Sequence, residues 1–172
     1  MGLDYPSSLV VSPDDFRVDA NGRYRRYALD EGEVWTRAHA VWRRLVELPF
    51  ASCAYLVCGA PGAGKSTLAA RISEVHAIDD RRPVVFDATL SRRLTRARIA
   101  SVAAERGLEV HAIVMSTPLD ECLLRNASRR ASRYVPPLTV REIYSELVES
   151  PPVLSEGLTS VTYVDDFARE VG

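Results

Sequence analysis

Apolar residues along this 172-residue chain follow two patterns, short unbroken runs and longer repeats at every third or fourth position. The short runs predict five strands, at residues 9–11, 53–58, 83–87, 109–115 and 160–164. The longer repeats predict helices, at residues 33–48, 65–77, 92–106, 118–133 and 139–149. Because strands and helices alternate, the sequence predicts an α/β fold with a central, mostly parallel five-stranded sheet flanked by helices.

The link between the second strand and the second helix carries the first chemical signal. It reads Gly59-Ala60-Pro61-Gly62-Ala63-Gly64-Lys65-Ser66-Thr67, which is the G-x-x-x-x-G-K-[ST] phosphate-binding loop. Backbone N–H groups of such a loop bind phosphates, the lysine reaches the β- and γ-phosphates, and the hydroxyl of Ser66 binds Mg²⁺. Lys65 is the only lysine among the 22 lysine and arginine residues of the chain. The loop therefore has a compact ammonium group at a position where the wide guanidinium group of arginine fits poorly.

A carboxylate is predicted beside this loop, because Asp87 follows the buried third strand. Such an aspartate holds Mg²⁺ directly or through water, although it could also cap the next helix. Asp87 is not followed by Glu, and no Asn-Lys-x-Asp motif exists. Both absences favour a transferase over a motor ATPase or a switch GTPase.

Arginines dominate the predicted helix 118–133. Arg125, Arg129 and Arg133 recur every four residues, which would place them on one helix face. We interpret this face as a lid that neutralises charge on a transferred phosphoryl group; the alternative is an ordinary solvated face.

Composition limits the class of protein. The net charge of -1 and the pI near 6.3 argue against a protein that coats long nucleic acid, but not against one that grips a strand end. The three cysteines lack metal-ligand spacing, and neither a membrane-spanning run nor a signal peptide is evident. We therefore expect a cytoplasmic protein with a single domain over residues 1–172 and no membrane partner.

Several segments together resemble the polynucleotide 5′-hydroxyl kinases, the end-healing kinases of phage and bacterial nucleic-acid repair. The matching segments are Gly59–Thr67, Asp87-Ala88-Thr89, Arg125-Asn126, Arg130, Val135-Pro136, Pro151 and Glu156-Gly157, and the resemblance covers most of residues 53–158. It implies a P-loop kinase that uses Mg²⁺ or Mn²⁺ to move the γ-phosphoryl of ATP or another NTP to a 5′-OH end of DNA or RNA. The absence of a second lysine and of an Asp-x-Asp element indicates a kinase module without ligase or phosphatase.

The chain departs from this family in the order of its elements. The family places a second strand, an Asp-Asp-x-x-Arg-like element and a helix between the phosphate-loop helix and the Asp-x-Thr strand. Here too few residues lie between Thr67 and Asp87, and a matching segment occupies residues 9–17 instead. We infer a circular permutation, in which residues 1–50 supply the second strand, the general base and the helix, and residues 51–172 supply the rest.

The resemblance assigns roles to individual residues. Asp14 would be the general base for the acceptor hydroxyl, and Arg17 would bind the acceptor's phosphate. Arg130 would be the lid arginine for the β- and γ-phosphates, with Arg125 or Arg129 as the second. Asp87 would contact both the metal ion and the substrate. The family often has Asn after its Asp-x-Thr, whereas this chain has Leu90.

Two other functions stay open at this point. One is a kinase for a small hydroxyl compound such as a nucleoside, sugar or antibiotic, although Arg17 and the arginine-rich segment 92–98 favour a phosphate-bearing acceptor. The other is a nucleotide-binding regulatory module without turnover. The sequence does not choose between DNA and RNA, between single strands and duplex ends, among NTP donors, or among oligomeric states.

Overall fold

The computed structural model describes residues 9–19, 21, 23–25, 30–74 and 81–165. Its strands are β1 (Val10–Val11), β2 (Ala51–Cys58), β3 (Arg82–Asp87), β4 (Glu109–Met115) and β5 (Ser160–Val164). Its α-helices are α1 (Glu31–Val46), α2 (Lys65–Glu74), α3 (Arg93–Ala104), α4 (Leu119–Ala127) and α5 (Pro137–Glu149). Short 3-10 helices cover Pro13–Phe16, Ala131–Arg133 and Leu154–Glu156.

The five strands form one parallel sheet in the order β1-β3-β2-β4-β5. The N-terminal strand pairs with β3 at one edge, so that Val10 lies beside Val85. The predicted α/β fold with a five-stranded parallel sheet flanked by helices is confirmed. Parallel strands all end at the same edge of the sheet, so the loops after β1, β2 and β3 lie side by side.

Both faces of the sheet are covered by helices. Val84 and Phe86 of β3 point to one core, whereas Val85 points to the other, as the alternation of a strand requires. Helix α1 packs on the first core through Trp42, whose indole N–H donates to Ile99 O at 3.0 Å and whose ring meets Phe86 edge-on at 5.5 Å. This packing fixes α1 against the sheet.

Most predicted helices are present with shifted ends. Helix α1 begins at Glu31 because the side chain of Asp30 accepts a hydrogen bond from Gly32 N at 2.8 Å. Residues 75–77 of the predicted second helix lie outside the described residues. In the part of the chain that the structure describes, no helix has the length and apolar character needed to cross a membrane.

The predicted helix 118–133 is wrong in its second half. Helix α4 ends at Ala127, and the chain turns back because the buried Asn126 side chain binds the backbone of Val135. Its amide donates to Val135 O at 2.7 Å and accepts from Val135 N at 3.1 Å. Arg129 and Arg133 therefore lie beyond α4 and do not share a helix face with Arg125.

Candidate active site

The phosphate loop, residues 59–67, connects β2 to α2 at the carboxyl edge of the sheet. Gly62 and Gly64 have φ angles of 91° and 90°, in the region that side chains rarely adopt. A Cβ at Gly62 would lie 2.3 Å from the carbonyl oxygen of Cys122, so only glycine fits there. The buried Thr117 hydroxyl donates to Ala63 O at 3.0 Å and fixes the loop from the α4 side.

The ammonium of Lys65 folds back over this loop. Its Nζ donates to Ala60 O at 2.9 Å. Burial lowers the pKa of Lys65, and the nearby Asp87 carboxylate opposes that shift. A cation held this way faces the space that the loop encloses, where it can move to an incoming phosphate.

Ser66 and Asp87 form a pair of hard oxygen donors beside the loop. The Ser66 hydroxyl donates to Asp87 Oδ2 at 2.7 Å, across the neighbouring ends of β2 and β3. Asp87 is 4% exposed; burial raises its pKa, whereas Lys65 and the Ser66 hydroxyl lower it. Asp87 does not cap α3, which begins at Arg93 with Arg92 in the N-cap position.

This donor pair fits Mg²⁺, which usually takes one or two carboxylates together with substrate phosphates. The described residues contain no cluster of three or more His, Cys, Asp or Glu that could hold a metal ion without a substrate. Ser66 and Asp87 are thus the residues that could hold a metal ion together with the phosphates of a nucleotide.

The N-terminal segment assigns different tasks to its two adjacent aspartates. Asp15 caps the short helix Pro13–Phe16, because its Oδ2 accepts from Ser12 N at 2.9 Å while the Ser12 hydroxyl accepts from Asp14 N at 3.3 Å. Asp14 is not needed for the cap, and half of its side chain, 51%, is exposed. The sequence Asp-Asp alone does not distinguish these tasks.

Arg17 connects Asp14 to the start of α1. Its Nε donates to Asp14 Oδ1 at 2.9 Å, and Nη2 donates to Glu31 Oε2 at 2.8 Å while Nη1 binds Glu31 Oε1. The hydrogen bonds to Glu31 raise the pKa of Arg17 above its usual value. Only 11% of the Arg17 side chain is exposed, and the carboxylates of Asp14 and Glu31 hold its guanidinium group in place.

The phosphate loop and the N-terminal segment both contribute to the lining of one cleft of about 240 Å³. The predicted site residues that line it are Pro61, Lys65, Ser66, Asp87, Asp14, Arg17 and Arg129. Asp14 and Arg17 thus share a cleft with the phosphate loop although they precede it by about 50 residues in the chain. Glu31, Trp35 and Thr89 also line the cleft.

The other two predicted lid arginines are not part of this lining. Arg125 binds Glu121 one turn earlier on α4 at 2.5 Å. Arg130 is exposed and precedes the short helix Ala131–Arg133. Of the three, Arg129 is the one beside Lys65, where its charge contributes to lowering the lysine's pKa.

Two functional features escaped the sequence reasoning. Glu31 reads as an ordinary acidic residue in the first turn of a helix, and its contact with Arg17 is visible only in three dimensions. Arg96, part of the arginine-rich segment 92–98, is fully buried against Glu156 rather than available to an acceptor. A signal for this second feature existed, since Glu156-Gly157 belongs to the resemblance.

Comparison with known proteins adds limited detail. Residues 75–147, less than half of the chain, match the family model described as an AAA domain. A solved structure, the tunicamycin resistance protein of Deinococcus radiodurans, is 18% identical over 64% of this chain and 86% of its own, with a TM-score of 0.41. No curated protein matches the chain.

The chain has an α/β fold in which a phosphate-binding loop follows the central strand of a five-stranded parallel sheet. The phosphate loop after β2, with Lys65 and the Ser66–Asp87 pair beside it, is the arrangement expected of a phosphate-binding site.

Proposed function

We propose that this protein is a polynucleotide 5′-kinase, which transfers the γ-phosphoryl group of ATP or another NTP to a 5′-OH end of DNA or RNA. One observation carries the proposal: a carboxylate and an arginine, Asp14 and Arg17, line the same cleft as the phosphate loop. A site for the NTP alone is common to all NTP-binding proteins. A general base beside that site is what transfer to a hydroxyl acceptor requires.

The donor half of the reaction uses the loop and its neighbours. Backbone N–H groups of the loop bind the β- and γ-phosphates, and Lys65 leaves Ala60 O to contact them. Ser66 and Asp87 would hold Mg²⁺, and the bound ion would neutralise negative charge on the phosphates. Arg129 faces the same space and stabilises negative charge on the transferred group.

The acceptor half uses the N-terminal segment. Asp14 accepts the proton of the 5′-hydroxyl as that oxygen bonds to the γ-phosphorus, and the bond from this phosphorus to the β-γ bridging oxygen breaks. Arg17 binds the phosphate on the 3′ side of the first nucleotide, exchanging Glu31 for it. Catalysis rests on positioning and charge neutralisation.

The permuted chain order belongs to this proposal. Strand β1 pairs in parallel with β3, the Asp-x-Thr strand, and the segment that follows β1 reaches the cleft. This pairing supports the inferred permutation. We accordingly propose that residues 1–172 act as one kinase domain, since donor and acceptor groups come from both parts.

The test is transfer of labelled γ-phosphate from ATP, with Mg²⁺, to matched 5′-OH DNA and RNA oligonucleotides, to 3′-nucleoside monophosphates and to free nucleosides. Label on oligonucleotides and 3′-monophosphates, but not on nucleosides, is expected. Label on nucleosides or sugars alone would favour the small-molecule kinase, which the small volume of the cleft also suits. Slow NTP loss that no acceptor accelerates would favour a regulatory module.

Two neighbouring substitutions make the role of Asp14 specific. Asp14→Asn should reduce transfer by at least about 100-fold because the base is lost, while ATP affinity stays near that of wild type. Asp15→Asn removes the same charge one residue away, yet its amide oxygen can still accept from Ser12 N, so transfer should persist. Equal loss in both variants would contradict the assignment.

A further inference from the structure

A second concave surface adjoins the cleft. It is a groove of about 520 Å³ at the start of α3, and its lining includes Arg92, Arg93, Leu94, Arg98, Glu146 and Glu149. We refer to it as the arginine groove. The proposed mechanism uses none of these side chains.

The cleft and the arginine groove share a wall. Thr89 and Ile143 line the cleft, whereas Ser91 and Glu146, two and three residues further along the same segments, line the groove. Thr89 and Arg93 are separated by four residue steps, so their Cα atoms lie within about 14 Å even if the chain were fully extended. A chain molecule whose end is in the cleft can therefore continue into the groove.

The buried side chain of Arg96 fixes the residues of this wall. The buried guanidinium of Arg96 donates to Leu90 O at 3.0 Å, to Ser91 O at 2.9 Å and to both carboxylate oxygens of Glu156 at 2.7 Å. It also donates to Ser150 O at 3.0 Å. Leu90 keeps a φ of 49° within this network. The edge between the two sites is thus preorganised.

The charges of the groove favour an anion. Glu146 is occupied by the Ser91 hydroxyl at 2.5 Å and by Arg92 at 3.5 Å. Arg93 donates to the Ser155 hydroxyl at 3.2 Å, and Arg98 forms no ion pair with any residue that the structure describes. Three arginines thus oppose two glutamates, Glu146 and Glu149. Because the whole chain carries a net charge of -1, this positive surface is local.

An apolar side chain lies among these arginines. Leu94 is 75% exposed at the beginning of α3, in the same groove. Arginines beside an exposed apolar residue match a nucleic-acid strand, whose phosphates bind guanidinium groups and whose bases offer apolar faces. A free phosphate or a small sugar would use only one of these features.

We propose that the arginine groove binds the acceptor strand beyond its first nucleotide, with Arg93 and Arg98 on its phosphodiesters and Leu94 against a base. The inference rests on the proposed kinase function and adds to it a site that distinguishes polynucleotides from mononucleotides. Arg17 contacts the first phosphate in the cleft, and the groove contacts the following ones.

The experiment compares acceptors of increasing length. Wild-type KM should fall from a 3′-nucleoside monophosphate to 5′-OH oligonucleotides of about six nucleotides. The double variant Arg93→Gln/Arg98→Gln should lose about tenfold in kcat/KM for the oligonucleotides while its KM for the monophosphate is unchanged. The salt dependence of log(kcat/KM) should weaken by about 1.4, for two single-strand phosphate contacts removed.

The control double variant is Arg44→Gln/Arg106→Gln, which removes the same charge from exposed positions that line neither cavity. It should retain the effect of acceptor length. If both double variants lose it equally, general attraction by charge explains the effect and the groove does not.

A second measurement leaves the protein unchanged. Oligonucleotides with neutral methylphosphonate linkages after the second and third nucleotides should behave like the monophosphate if the groove binds those phosphates. Undiminished kcat/KM for these acceptors, or a wild-type KM independent of length, would overturn the inference while leaving the kinase function standing. Absence of label on every acceptor, with ATP binding intact, would overturn the kinase function itself.

Discussion

Glu31 lies where an acceptor phosphate is expected to meet Arg17. Its two carboxylate oxygens take the Nη1 and Nη2 groups of that arginine, the same fork that binds a phosphate through two hydrogen bonds. The Glu31 side chain is 58% exposed, so it can move aside when a stronger anion arrives. An acceptor that lacks this phosphate cannot replace Glu31 as the partner of Arg17.

We therefore expect Glu31→Gln to lower KM for 3′-monophosphate acceptors about fivefold, which corresponds to about 1 kcal/mol for the loss of this competing ion pair. The measurement is steady-state transfer with a fixed, saturating ATP concentration. Glu33→Gln is the control, because Glu33 also lies in the first turn of α1 but pairs with Arg37. An increase in KM in Glu31→Gln would show instead that Glu31 positions Arg17 for the acceptor.

Gly62 offers a second prediction at the level of one residue. Gly62→Ala combines a φ of 91° with a Cβ only 2.3 Å from the Cys122 carbonyl oxygen, so the phosphate loop must move away from α4. We expect a loss of at least about tenfold in affinity for a non-hydrolysable ATP analogue, measured by calorimetry.

The matched control is Gly107→Ala, at a φ of 74° with no atom within 4 Å of the added Cβ. It should lower the free energy of unfolding by about 1–2 kcal/mol through strain alone and leave ATP affinity unchanged. Equal ATP affinity in both variants would mean that the contact with Cys122 does not shape the loop.

Single residues also show where sequence reasoning stops. The spacing of the phosphate loop places Lys65, Ser66 and Asp87 reliably, because the loop motif and a parallel sheet leave one arrangement for them. Asp14 and Asp15 are adjacent and chemically identical, and the 3-10 geometry decides that Ser12 N contacts Asp15 while Asp14 contacts Arg17. The inward direction of Arg96 likewise depends on Glu156, 60 positions away.

At the scale of elements, the buried ion pair of Arg96 and Glu156 joins α3 to the segment before β5. Both side chains are fully buried, and Arg96 also satisfies three backbone carbonyls. Removing one charge from such a pair leaves the other without compensation, which costs about 3–5 kcal/mol. The network also sets the wall between the cleft and the arginine groove.

Glu156→Gln should therefore lower the free energy of unfolding by about 3–5 kcal/mol in urea titrations. Glu47→Gln, which weakens the exposed Glu47–Arg106 pair, should cost less than about 1 kcal/mol. A Glu156→Gln variant as stable as Glu47→Gln would contradict this account.

Elements were predicted unequally well for a physical reason. Apolar spacing located all five strands and five helices, because burial of one face imposes a period on the sequence. The end of α4 was missed because it depends on one polar side chain, Asn126, that bonds a backbone nine residues away. Arginine spacing continued past this point without any helix to support it.

At the scale of the whole molecule, the order of the elements along the chain could change while the order of the strands in the sheet stays the same. Phe50, which precedes β2, accepts a hydrogen bond from Arg82 N at 2.7 Å, and Ala51 pairs with Arg82. The end of the α1 segment thus lies about one strand spacing, roughly 4.8 Å, from the start of β3. A short linker could lead from α1 into β3 instead of β2, and the same sheet would result.

A variant with the order 51–80, 1–50, 81–172 tests the inferred permutation directly. Joined through two or four glycines at each new junction, it should fold with the same sheet, bind ATP within about threefold of wild type and keep transfer to 5′-OH ends. These outcomes follow because β1 and α1 would retain their neighbours β3 and α3. The control keeps the natural order and carries the same glycines between Phe50 and Ala51. The rearranged chain could fail to fold with either linker while the control folds. That outcome would show that residues 1–50 need their present place ahead of β2, and it would contradict the inferred permutation.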